Sequence, residues 1–290
     1  MKDMTRLEHL FFHGSEEGIR RIVGDVDIGA AIYAPGGAQS NLLVWQDWKR
    51  RVAILLENGD LRSYEFDLIV NGEAEHSRRL LSPDGSPSAK AVNEAVGAGA
   101  TLRLFGVGRY DIECAEQVAL LKHVFDMPVF ANLYMTPPFV GGLQKHFDLD
   151  DSLVVQVYGR KTWLLYEGPE ENPFPIDYTD VTADDIDSQE TRRITLSAGD
   201  VLFVPQGIPH KAATEGEESI HIVFGIGVRR PLSDLRALLE EFCRQDPDAR
   251  RPIRDGKPLP PGRAAQLTER FRNWLLANAD CQADHQDGGS

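Results

Sequence analysis

The segment GGLQKHFDLDDSLVVQVYGRKTW, positions 141 to 163, sets a histidine and a carboxylate two residues apart, His146 and Asp148, where a glycine-rich stretch gives way to a β-branched run. Two imidazoles and one carboxylate on one face of an ion hold ferrous iron and leave positions open for a co-substrate and dioxygen. In an extended segment residues i and i+2 point to the same side, so a His-x-Asp pair can converge on one ion. The third donor must arrive from an element brought alongside. His210 is the candidate, because it follows SAGDVLFVPQGIPH, where a turn, an apolar strand and a proline-flanked loop present the ring at a defined point. Among 8 histidines and 45 acidic residues a lone His-x-Asp carries little weight, and the downstream strand, turn and histidine supply the rest.

The remaining histidines read differently. His9 and His13 have helical spacing in HLFFH, but no glutamate lies between them and no third ligand is evident, so surface or packing roles are expected. His76 and His123 are isolated, and His285 falls in the terminal segment ADCQADHQDGGS. His221 alternates with apolar neighbours in SIHIVFGI. It either faces the ion, hydrogen-bonding around the ligands, or is a satisfied core histidine, and alternation alone leaves both open. Ser219 shares its face.

Those side chains need a sheet to position them. PVFANLYM, SLVVQVY, TWLLYE, RITL, DVLFVP and SIHIVFGIGV are short, rich in β-branched or aromatic residues, and bounded by Gly, Pro or Asp. Such a succession predicts an antiparallel sandwich or barrel. Gly159-Arg160 reads as a tight turn between two of the runs, and Asn58-Gly59-Asp60 as a hairpin turn after RVAILLE. Cys114, Val118, Leu121 and Phe125 form one face of a helix packed on the sheet. The acidic stretch at 169–191 reads as an exposed insertion that could collect a cationic segment. Beyond Arg230 two further stripes, Leu235, Leu238, Leu239 and Phe242, then Leu267, Phe271, Trp274 and Leu275, predict a helical pair, with Ser233 and Asp234 placed to cap its start.

Composition limits the partners. A formal net charge of −14 without a basic patch opposes direct contact with nucleic acid or an anionic membrane and favours a basic protein or peptide. Three scattered cysteines, no leader-like N-terminus and no apolar run of membrane-spanning length give a cytoplasmic expectation.

Taken together, these residues resemble the JmjC-type, cupin-fold oxygenases dependent on Fe(II) and 2-oxoglutarate, and among them the ribosomal oxygenases that hydroxylate protein side chains. The resemblance runs from GAGATLRLFGV through FANLYMTPP, GGLQKHFDLDDSLVVQVYGRKTWLLYE and AGDVLFVPQGIPHKA to SIHIVFGI, over residues 95 to 228. It implies a mainly β fold with flanking helices: a double-stranded β-helix (jelly-roll or cupin) core with an N-terminal α/β elaboration over 1–230, a helical, homodimerising pair over 231–278, and a disordered tail over 279–290. It implies that His146, Asp148 and His210 hold iron and that Lys161 pairs with the distal carboxylate of 2-oxoglutarate. Asn132, and Tyr134 on the same strand face, would look into the co-substrate pocket. The implied reaction is hydroxylation of a protein or peptide side chain; the same chemistry on a small metabolite, or a non-catalytic cupin that only binds, are the alternatives. The larger ribosomal oxygenases continue into a winged-helix-like module, whereas about 60 residues follow Val228 here, enough for the helical pair.

Overall fold

The computed structural model describes residues 31–38, 48–58, 61–75, 80–167, 189–253 and 258–283. His9, His13, His76, His285 and nearly all of the acidic insertion lie outside the described residues. The chain divides into two compact units, Met1–Val228 and Arg229–Ser290.

In the first unit ten strands share one connected sheet system: β1 (Ile32–Ala34), β2 (Phe66–Val70), β3 (Glu73–Glu75), β4 (Thr101–Leu104), β5 (Val129–Thr136), β6 (Asp151–Tyr166), β7 (Glu190–Ser197), β8 (Val201–Val204), β9 (His210–Ala213) and β10 (Ser219–Ile226). The main path is β1-β8-β6-β10-β5-β4-β2-β3, and β7 and β9 pair with β6 alone. All pairings are antiparallel. Strand β6 joins two sheets: its first half pairs β10 and β8, its second half β7 and β9. The two sheets face each other, which is the double-stranded β-helix of the cupin type.

SLVVQVY and TWLLYE are therefore one strand and not a hairpin. Gly159, at φ +62, passes the chain from one sheet to the other, and a Cβ there would stand 1.8 Å from the Glu218 carbonyl oxygen. The register shift in β10 between Ile220 and His221 lies across from it, a bulge of the kind that bends a strand at a barrel corner.

Both faces of the central strands are covered, so β6 reads as a continuous apolar run. Leu153, Val155 and Val157, with Ile222 and Phe224, join the larger core against the helices. Val154 and Val223 turn the other way, toward Trp163, Leu165, Ile194, Leu196, Leu202 and Val204 between the sheets.

Three helices flank this unit: α1 (Trp48–Glu57), α2 (Ala89–Gly97) and α3 (Ile112–Phe125). RVAILLE, expected as a strand, belongs to α1, because Trp48, Val52 and Leu56 form a buried stripe four residues apart. A short apolar run cannot be typed without its neighbours. The hairpin lies further on, where Asn71 and Gly72, both at positive φ (+53 and +88), join β2 to β3, the two-residue turn that matches strand twist. Helix α3 has the expected bounds, Asp111 capping it by accepting from the Cys114 N–H.

The second unit contains α4 (Pro231–Gln245) and α5 (Pro261–Ala283). Phe242, Phe271 and Trp274 pack with centroids 5.4 to 6.2 Å apart, and the Trp274 indole donates to Gln245. The cap of α4 is Arg230 with proline opening the first turn, in place of Ser233 and Asp234; proline suits that position because the first helical N–H has no partner to lose. Helix α5 runs to Ala283, into the segment expected as a tail.

Candidate metal centre and co-substrate cavity

The loop after β5 carries His146 back beside the start of β9. There His146 and His210 exchange two backbone hydrogen bonds, N to O at 3.1 and 2.7 Å, which sets the two residues directly opposite one another. Their rings lie 4.4 Å apart, centroid to centroid. Asp148 is held from two sides: its carbonyl accepts from the Gly207 N–H and its carboxylate from the Ser152 hydroxyl at 2.9 Å. The sequence-proposed trio is thus brought together, with one ligand atom from each within 4.8 Å of the others.

The geometry also fixes the protons. His146 Nδ1 lies 2.8 Å from the Gln144 carbonyl and His210 Nδ1 3.0 Å from that of Ile208. A carbonyl only accepts, so each Nδ1 carries hydrogen and each Nε2 is the ring nitrogen turned to Asp148, at 3.8 and 3.7 Å. Burial first, and then the neighbouring His210, push the His146 imidazolium well below the usual histidine range. Lone pairs and a carboxylate facing one another this closely do not satisfy each other; a divalent cation satisfies all three, and the donor set is that of a ferrous site with open positions.

Beside the trio is a cavity of about 100 Å³ lined by Arg103, Tyr134, Gly142, Lys161, Trp163 and His221 among others. Lys161 is 2 % exposed and donates to the neutral Thr136 hydroxyl at 2.9 Å. No carboxylate pairs with it among the described residues, and burial pushes its ammonium down to about 7. His221 points inward, stacked on Tyr134 at 4.8 Å and 7°, and burial, then Lys161, hold it well below the usual range and so neutral. His221 Nδ1 and the Trp163 indole nitrogen are buried without a hydrogen-bond partner. A cavity holding an uncompensated lysine and unsatisfied polar atoms fits a small polar anion.

Two of the proposed residues do not line it. Asn132 accepts from the Gly106 N–H, and Ser219, fully buried, accepts from Gln156. Sequence reasoning had passed over Arg103, whose guanidinium is clamped by both oxygens of buried Asp67 and lies over the Phe105 ring at 4.8 Å. Its signal was a charge at the middle of the apolar run TLRLF. Trp163 and Gly142 were also passed over.

The barrel is of the cupin type, and residues 110–234 match the family model for the JmjC domain. Relatives are found accordingly. The chain is 32% identical over 202 residues to the "bifunctional lysine-specific demethylase and histidyl-hydroxylase NO66" of Drosophila simulans, covering 68% of this chain and 24% of the relative. The counterpart from Drosophila melanogaster is 32% identical over 188 residues, 63% of this chain and 28% of the relative. The chain spans about a quarter of the length of these curated relatives. Among solved structures, Escherichia coli YcfD, a ribosomal oxygenase, in complex with cobalt and 2-oxoglutarate superposes with a TM-score of 0.50 at 16% identity, over 86% of this chain and 63% of that one. Another structure of E. coli YcfD gives a TM-score of 0.55 at 17% identity, over 89% and 66%. These structures share the fold.

Proposed function

We propose that this protein is an Fe(II)- and 2-oxoglutarate-dependent oxygenase that hydroxylates a side chain of a protein or peptide. The observation that carries the proposal is the pairing of two inward Nε2 atoms and a carboxylate with a buried lysine that meets no carboxylate among the described residues. His146, Asp148 and His210 would hold the iron. Iron with bound 2-oxoglutarate would supply the oxidising power by drawing on dioxygen, one oxygen atom ending in succinate as CO₂ is released and the other entering the substrate C–H bond.

The chain does the positioning. Lys161 would receive the distal carboxylate, whose desolvation only a buried cation offsets. Gly142 lines the cavity beside Lys161, and a Cβ there would meet Lys161 Nζ at 3.6 Å and press on the Ala212 carbonyl oxygen at 3.2 Å. Tyr134, Trp163 and His221 wall the cavity with rings and exclude water. Arg103, neutralised by Asp67, lines the cavity without opposing the approach of a cationic segment.

The relatives' names as histidyl-hydroxylase and ribosomal oxygenase support a protein substrate, and the net charge of −14 favours a basic one. A cytoplasmic location agrees with the absence, among the described residues, of a helix long and apolar enough to cross a membrane. Half-exposed Leu235 and Leu239 on α4 support a homodimer formed through the helical pair. The test is succinate release from 2-oxoglutarate with Fe(II): stimulation by basic peptides and not by free amino acids supports this substrate class, and the reverse favours a metabolite.

A further inference from the structure

His210 opens a strand, whereas His146 sits in the irregular stretch between β5 and β6, tied to regular structure by a single bridge. What orients its ring is the Gln144 carbonyl, and Gln144 is itself held from outside the barrel. Its N–H donates to the Gly72 carbonyl at 3.0 Å. Gly72 is the second residue of the β2–β3 turn, at φ +88, and a Cβ on it would stand 2.4 Å from Gln144 Cγ and 3.2 Å from Gln144 N. The hairpin is rooted in the core, since Phe66, Asp67, Leu68 and Ile69 of β2 are each at most 3% exposed.

We propose that the Asn71–Gly72 turn is a positioning element for the metal centre: it buttresses Gln144, and through the Gln144 carbonyl it sets the tautomer of His146. The inference rests on the reading of His146 as a metal ligand. A ligand that binds through Nε2 must keep its hydrogen on Nδ1, and the carbonyl that accepts this hydrogen stabilises that form. Glycine is required at position 72 twice over, for its left-handed backbone and for the space Gln144 occupies. A side chain there displaces Gln144, and His146 loses the acceptor while His210, oriented by Ile208, keeps its own.

Histidine side-chain nitrogen NMR on the metal-free protein reads the tautomers, and Co(II) titration reads the site. In the unaltered protein both His146 and His210 are expected as Nδ1–H forms. Gly72→Ala is expected to shift His146 to a mixture, leave His210 unchanged, and weaken Co(II) binding roughly 10- to 100-fold, the usual consequence of losing a ligand's orienting partner. Adding Gln144→Ala removes the colliding Cγ and restores part of both signals, the strain of an alanine at φ +88 remaining. If Gly72→Ala does not fold, Asn71→Val strains the same turn without touching Gln144 and is expected to give the same pattern.

The proposal is overturned if His146 keeps its tautomer and Co(II) affinity in a folded turn variant, or if both histidines change together. Co(II) binding absent from the unaltered protein, with the tautomers behaving as expected, would sink the metal reading and with it the turn's role at a metal centre, leaving only its hold on the His146 tautomer.

Discussion

Lys161 is the residue at which function and stability pull against each other. Its ammonium is pushed by burial down to about 7 from an ordinary value of 10.5, which it regains in the unfolded chain. Between those values the unfolded chain binds more protons, so stability rises with pH across that window, and the cost of the buried cation is fully present below about pH 7. A dianionic co-substrate favours the ammonium. Binding of 2-oxoglutarate is therefore expected to take up a proton above pH 7, with Kd rising by up to roughly tenfold per pH unit. Calorimetry in buffers of different ionisation enthalpy measures the uptake, and Lys161→Met is expected to abolish both it and most of the affinity. Gly142→Val tests the same cavity sterically: it is expected to lower 2-oxoglutarate affinity at least tenfold while Co(II) still binds, because the atoms that a Cβ there meets are the Ala212 carbonyl oxygen and Lys161 Nζ.

At the scale of elements, Gly159 is where the barrel turns its corner. Gly159→Ala places a Cβ against the Glu218 carbonyl and leaves a non-glycine residue at φ +62, so a loss of about 1–3 kcal/mol or more is expected in denaturant unfolding. This corner also shows what the sequence could reveal. His146, Asp148 and His210 were legible because their chemistry is carried by residue type and by the His-x-Asp spacing at the entry to a strand, and Lys161 because its place after the Gly159 turn matches the family the sequence resembles. Strand β6 was misread as a hairpin because a glycine that turns a chain back and one that hands a strand between sheets look alike until the partners are known. α1 was misread because the five consecutive apolar residues at 52–56 fit either period, and only Trp48 decides for a helix. Arg103 showed only as a charge in an apolar run and the Gly72 buttress not at all, because each acts through a partner far along the chain, Asp67 and Gln144, and no local pattern records such pairs.

For the molecule as a whole, the two units invite separate tests. Phe242→Ala removes the central ring of the helical pair's aromatic cluster and is expected to cost about 3–5 kcal/mol within that unit, read as loss of helical circular dichroism while Co(II) binding by the barrel persists. If α4 dimerises the protein, Leu235→Glu with Leu239→Glu is expected to give a monomer in sedimentation at concentrations where the unaltered chain is a dimer.

The central claim is that three donors from two separate stretches of the chain and one buried lysine form a single ferrous and 2-oxoglutarate site. It is tested most directly by adding Fe(II) and 2-oxoglutarate to the protein without oxygen and recording the visible spectrum. A metal-to-ligand charge-transfer band that saturates at one iron per chain, and is lost in Asp148→Ala, is the expected result. No such band from folded protein at saturating Fe(II) and 2-oxoglutarate, or one that survives Asp148→Ala unchanged, would contradict the account.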